Sequence, residues 1–259
     1  MNPEWRLDPR SISAVWVREL LLFRRYWKPT SFAAVTEPTV YLLALGLGFG
    51  ALVNQVGGIP YAQFVGTGSV ASAALFASVF PGMFNTFVAR VYQKVYDGIL
   101  ATPITVTELV LGEATWIGVK AGLYATAPLI ITMLFFGLTP AWGMLAVPFV
   151  AILTGLGFAL LGQWLSGVVR TIDSFNYVTS ALVTPLFLVA GTYFPLTGLP
   201  PWATAIAQIN PLYHCVQLVR NACYGWQGWV DVWHVAFLVG FAVVMALLAV
   251  PRLSKRLID

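Results

Sequence analysis

Few side chains in the middle of this chain can do chemistry, and three of them, Glu113, Trp116 and Lys120, fall on one apolar stretch at spacings of three and four. On a helix that spacing stacks them on one face, with Trp116 one turn and Glu113 two turns below Lys120. About 10 Å of rise separates the carboxylate from the ammonium, too far for a tight pair without water or a neighbouring helix. A charge in apolar surroundings needs a partner. Lys120 therefore marks either a polar point facing an anionic group or an ion or cation–π contact that fixes packing. Glu37, beside Pro38, is similar in kind: it contacts the segment before it or sits at an inner gate. Other chemistries find no residues. No G-x-x-x-x-G-K-[ST] phosphate loop occurs. His214 and His234 stand isolated, and Cys215 and Cys223 lack ligand-like companions, so neither a metal site nor a catalytic cluster is expected. On one continuous helix the two cysteines lie about 12 Å apart, out of disulfide reach unless a hairpin joins them, so small buried thiols are expected.

Composition says what kind of element must position these residues. The chain is 59% hydrophobic and 9% charged, where soluble domains carry roughly a quarter charged residues. An all-α integral membrane protein is expected, spending its 259 residues as one transmembrane domain over 1–259. Six spans are read at 38–53, 64–88, 109–136, 145–169, 177–194 and 232–250. Arg6, Arg10, Arg18, Arg24, Arg25 and Lys28 precede the first; Arg90 and Lys94 follow the second, Arg170 the fourth, and Arg252, Lys255 and Arg256 the sixth. All fall on one side, which the positive-inside rule makes cytoplasmic, both termini included; the opposite loops hold only Arg220. The formal charge of +4 then reflects topology and anionic lipid in the plasma membrane, not nucleic acid. No signal peptide is read at the start.

Two amphipathic segments interrupt the oil. Asp8 and Pro9 suit an N-cap and first turn, and Ile12, Val15, Trp16, Leu20, Phe23 and Trp27 recur at helical spacing. This segment, 9–28, is expected to lie flat on the cytoplasmic leaflet. The second is a loop over 90–105, where a short helix shows Tyr92, Val95, Tyr96, Ile99 and Leu100 on one broad face with Lys94 and Asp97 at its edge. Pro103 stops it, and Thr105 with Glu108 has the capping-box spacing that starts the third span. Such a helix either rests on headgroups or docks a partner. Over 191–229 the chain is too proline-rich and polar to cross simply; the break at Asn210 and Pro211 should be buried or line a cavity. Small residues mark close helix contacts: Gly46 and Gly50 in the first span, and Gly155, Ala159, Gly162 and Ser166 along the fourth.

In order and spacing, several segments resemble the ABC-2 type exporter permeases, most of all the nodulation-factor export and daunorubicin-resistance branch. They are Glu37-Pro38-Thr39-Val40-Tyr41 with Gly46, Gly48 and Gly50; Phe84-Asn85-Thr86-Phe87 to Lys94; Tyr96-Asp97-Gly98-Ile99-Leu100-Ala101-Thr102-Pro103 to Glu113; and Phe194-Pro195-Leu196-Thr197-Gly198-Leu199-Pro200 to Asn210-Pro211 and Arg220. The resemblance implies a six-span permease, paired as a homodimer, with two copies of a cytoplasmic ABC ATPase that bind ATP and Mg. It makes the helix after the second span the coupling helix, with Tyr92, Tyr96, Ile99 and Leu100 filling a groove on the ATPase and Lys94 and Asp97 setting register. It makes the region over 191–229 an outer re-entrant hairpin, and it favours the dimer interface for Gly46 and Gly50, with the fourth-span ridge packing internally. Glu113, Trp116 and Lys120 become candidates for the inner translocation path. The function implied is export of a lipidic, glycolipidic or amphiphilic drug-like molecule, the chain itself being no enzyme. An ion-coupled secondary transporter is the alternative; it would need buried relay residues, for which only Lys120 and Glu113 qualify.

Overall fold

Asp8 begins the first element as its type dictates, its carboxylate accepting from the Arg10 amide at 2.9 Å with Pro9 in the first turn. From this cap, in a computed structural model describing residues 7–196 and 200–257, runs a single helix α1, Pro9–Gly48. The expected division into a leaflet helix over 9–28 and a separate first span is thus corrected. Pro29 and Pro38 each delete a backbone bond without ending the helix, since in apolar surroundings no water stands ready to solvate an opened turn. Part of the first half of α1 packs on the protein, where Val15 is buried and Trp16 Nε1 donates to Thr115 at 2.9 Å, while Leu20 and Trp27 of the same face stay exposed. The chain turns back through a β-ribbon, β1 (Gln55–Val56) against β2 (Ile59–Pro60), which the all-α expectation did not contain. Gly57 and Gly58 (φ 60° and 82°) supply the two left-handed positions of such a tight turn.

Helix α2 (Tyr61–Phe80) is the central post, buried over most of its length. Its small residues allow packing on every side; a Cβ on Gly68 would lie 2.2 Å from the Thr192 carbonyl. Its hydroxyls are satisfied locally, Ser69 and Ser78 donating to the carbonyls of Val65 and Ala74. Two π-helical turns, Pro81–Asn85 and Val88–Tyr92, carry it onward to α3 (Val95–Leu100). Then come α4 (Val106–Phe136), α5 (Val147–Val168), α6 (Ser174–Val178) and α7 (Thr184–Leu188) joined by a π turn, α8 (Pro201–Ile209), α9 (Pro211–Tyr224) and α10 (Trp229–Leu257).

Five of these helical segments are long and apolar enough to cross a membrane. The expected fifth span is instead the shorter run α6–α7, helical over 174–188. It still travels the bundle antiparallel to α2: Phe175 meets Phe84, Phe187 meets Phe76, and Thr192 meets Gly68. Helices α1 and α4 run parallel for their whole length, paired from Asp8 and Glu108 through Ser31 and Tyr124 to Gly46 and Phe136. One end of the bundle gathers Arg90, Arg252 and Arg256, which donate to the last carbonyls of α5 at Ser166 (2.8 Å) and Gly167 (3.1 and 3.2 Å). Cations at a helix C-terminus oppose its dipole favourably. This is the basic end; α8 and α9 close the far one.

Small-residue contacts are the tightest seams. A Cβ on Gly162 would meet the α2 backbone at 2.6 Å, and one on Gly155 would meet Ala121 at 2.7 Å, so the α5 ridge is internal packing. Gly46 is buried against Phe136 and Ala62 within the chain, in keeping with the helix-packing side of its expected role, and Gly50 has open space around it. Asn210 is 4% exposed, capping α9 by accepting from the Leu212 amide and donating to Leu186, with Pro211 in the first turn. Thr197, Gly198 and Leu199 of the Phe194 to Pro200 segment lie outside the described residues.

Candidate functional site

The site is built where α2 ends. Lys94 takes a left-handed conformation, φ 51°, and turns the chain so that α3 folds back beneath the bundle. Helix α3 ends before Pro103, and Thr105 opens α4 with a full capping box: its hydroxyl accepts from the Glu108 amide at 3.2 Å while Glu108 Oε2 accepts from the Thr105 amide at 2.8 Å. Glu108 Oε1 is taken by the Asp8 amide at 2.7 Å. One carboxylate therefore ties the starts of α1 and α4 together.

Tyr96 is the pivot. Its side chain is 1% exposed and its hydroxyl donates to Glu113 Oε2. The expectation that Tyr96 fills a groove on a partner is corrected: α3 shows this residue to its own α4, because a phenol with a buried acceptor is held more firmly than one left at the rim. Burial, and next the Glu113 carboxylate, push the Tyr96 phenol well above its ordinary range. Ile99 and Leu100 are half-buried against the same core. Tyr92, Lys94 and Asp97 are the exposed members of the predicted set.

Glu113 Oε1 receives Arg18 Nη1 at 3.0 Å, and the same nitrogen lies 2.9 Å from Glu19. Glu113 thus joins three elements, α1 through Arg18, α3 through Tyr96 and α4 itself. Spacing along the chain does not reveal Arg18 and Glu19, because both fall in the segment expected to lie on the leaflet. The signal available was the requirement that a neighbouring helix serve Glu113. Lys120 Nζ sits 5.8 Å from the Trp116 ring. Arg18, Glu19, Gln93, Tyr96, Glu113 and Lys120 line a cavity of about 290 Å³ at the basic end. Trp116 turns the other way, edge-on to Trp16 (5.7 Å) and Phe23 (6.1 Å), in the seam between α1 and α4. Glu37, the inner-gate candidate, is exposed on α1 between Ser31 and Gly46, well away from the basic end. A spanning bundle with a short buttressed helix at its basic end suits a membrane component driven from outside itself. The family model for "ABC-2 type transporter" matches residues 10–224.

The chain belongs to the ABC-2 type transporter family.

It is 31% identical over 257 residues to "Nodulation protein J" of Sinorhizobium fredii, covering 97% of this chain and 96% of that protein. The same-named protein of Rhizobium meliloti is 32% identical over 246 residues, covering 94% and 93%. "Inner membrane transport permease YadH" of Escherichia coli is 26% identical over 223 residues, covering 86% and 85%. As an ABC-2 family member the chain is a multi-pass membrane protein and a transport subunit, and the family implies an ABC ATPase partner.

Two further pairings at the far end escaped the sequence. His214 and His234, isolated in sequence, touch through Nδ1 atoms 2.7 Å apart, with His214 Nε2 2.8 Å from the Gln208 carbonyl. Asp231 accepts from Asn221 at 2.7 Å and from the Gln227 amide. Cys215 and Cys223 are buried and unpaired on α9.

Proposed function

We propose that this chain is the membrane subunit of an ATP-driven exporter for a lipidic, glycolipidic or amphiphilic drug-like molecule. It works as a homodimer with two copies of a cytoplasmic ABC ATPase, which bind the ATP and Mg. The observation that carries the reading is the Tyr96–Glu113–Arg18 network: a short helix with an exposed polar rim is locked from beneath to two membrane helices. A push on the rim formed by Tyr92, Lys94 and Asp97 then moves α1 and α4 together, because the linkage is a packed and hydrogen-bonded contact. Family membership supports the transport role, and the names of the relatives support the inner membrane and the nodulation-type branch. Both termini lie on the basic, cytoplasmic side.

The test separates docking from transmission. Tyr92→Ala with Asp97→Lys should release the ATPase when the tagged chain is purified from membranes. Tyr96→Phe should keep the ATPase bound while lowering transport per ATP hydrolysed. Purification of the intact chain with no nucleotide-binding partner would sink the proposal.

A further inference from the structure

The far end holds one cation that the transport reading does not use. Arg220, on α9, is the only base predicted on that side. Its Nη2 donates to the carbonyls of Gly191 (2.8 Å), Thr192 (3.3 Å) and Phe64 (3.4 Å), and its guanidinium carbon lies 3.7 Å from the centre of the Phe64 ring. Every one of these partners is neutral. Its Nε is buried without a partner, and among the described residues the hydrogen bonds given for the guanidinium all run through Nη2. No carboxylate lies within ion-pair distance of it among them. Asp231, the nearby acid in sequence, is already engaged by Asn221 and the Gln227 amide. Burying a guanidinium is costly, and carbonyls and a ring only partly offset it.

The same guanidinium lines a pocket of about 420 Å³ between the β-ribbon, the start of α2, α8 and α9. The side chains of Gln208, Tyr213 and Gln217 also line it and make no hydrogen bonds among the described residues. A positive charge with a free N–H group, flanked by amide and phenol donors and, among the described residues, by no acid, has the composition of an oxyanion receptor. We propose that this pocket binds a phosphate-type anionic group with Arg220 as its principal contact and Gln217 and Tyr213 as flanking donors. The shared chemistry has two sources, a free anion from the aqueous side or the headgroup of an acidic phospholipid.

Gln217→Glu gives the sharpest test, because residues 217 and 220 are neighbours on α9. The new carboxylate would occupy the guanidinium while leaving its three carbonyl bonds intact, so folding is kept and the site is filled from within. The full chain is reconstituted in nanodiscs of phosphatidylcholine alone, and its unfolding temperature is measured with inorganic phosphate against chloride at equal ionic strength. A second set of discs contains phosphatidylglycerol. Stabilisation of the wild type by phosphate, with apparent affinity at least about tenfold weaker in Gln217→Glu and Arg220→Gln, supports a soluble anion. Stabilisation by phosphatidylglycerol alone, lost in the same variants, supports a lipid headgroup. If neither probe distinguishes the wild type from Gln217→Glu, Arg220 is only a structural staple and the proposal is overturned.

Discussion

Glu113 shows how one carboxylate can set the character of a site. Alone in an apolar helix it would be a liability, but with Arg18 on one oxygen and Tyr96 on the other it becomes the joint where α1, α3 and α4 meet. Tyr96→Phe removes one buried hydrogen bond and should cost about 1–2 kcal/mol of stability. The pH dependence has a definite sign. The Tyr96 phenol is raised well above its ordinary value of 10.0, so above that pH the unfolded chain loses a proton that the folded chain retains. Stability present below pH 10.0 is then lost as pH rises towards the folded value. Thermal unfolding measured from neutral to strongly alkaline pH should fall more steeply in the wild type than in Tyr96→Phe. Equal slopes would mean that Tyr96 ionises freely and is not buried as described.

Between helices, the closest contacts are made by residues with no side chain to speak of. Gly162 admits the α2 backbone so closely that a methyl group would sit 2.6 Å from the Val79 carbonyl. Gly162→Ala should therefore destabilise the bundle by about 1–3 kcal/mol. Gly50→Ala, with nothing within 4 Å, should leave monomer stability unchanged. Detergent-resistant yield and melting temperature check both. The capping box at Thr105 and Glu108 was legible from spacing alone, because a cap is a local device. The continuity of α1 was not. Proline and a change in amphipathicity look like a boundary in sequence, whereas the packed face of α4 holds the helix together across it.

Across the whole molecule, the path of the chain puts Arg90, beyond α2, and the arginines of α10 on the end of α5 and leaves Arg220 at the opposite end. Six passages result if the short run over 174–188 counts as one, and both termini then share the basic side. Cysteine labelling tests this with a membrane-impermeant maleimide. Lys94→Cys should react only from the cytoplasmic side and Trp226→Cys only from the opposite side, while the buried Cys215 and Cys223 stay silent. Labelling of both positions from one side would require an even number of crossings between them and would remove the short run from the count.

Class, approximate spans, basic asymmetry, the capping box and the family resemblance were all legible in the residues, because hydropathy, charge bias and short-range spacing act locally along the chain. What the sequence could not supply was partnership at long separation. Tyr96 faces Glu113 instead of solvent, Arg18 answers Glu113, His214 meets His234, and Gly46 packs within the chain. Each of these depends on which helix faces lie together in three dimensions. That choice is made by the summed packing of small residues along whole helices and by the need to satisfy every buried polar group, and neither is visible in a single segment.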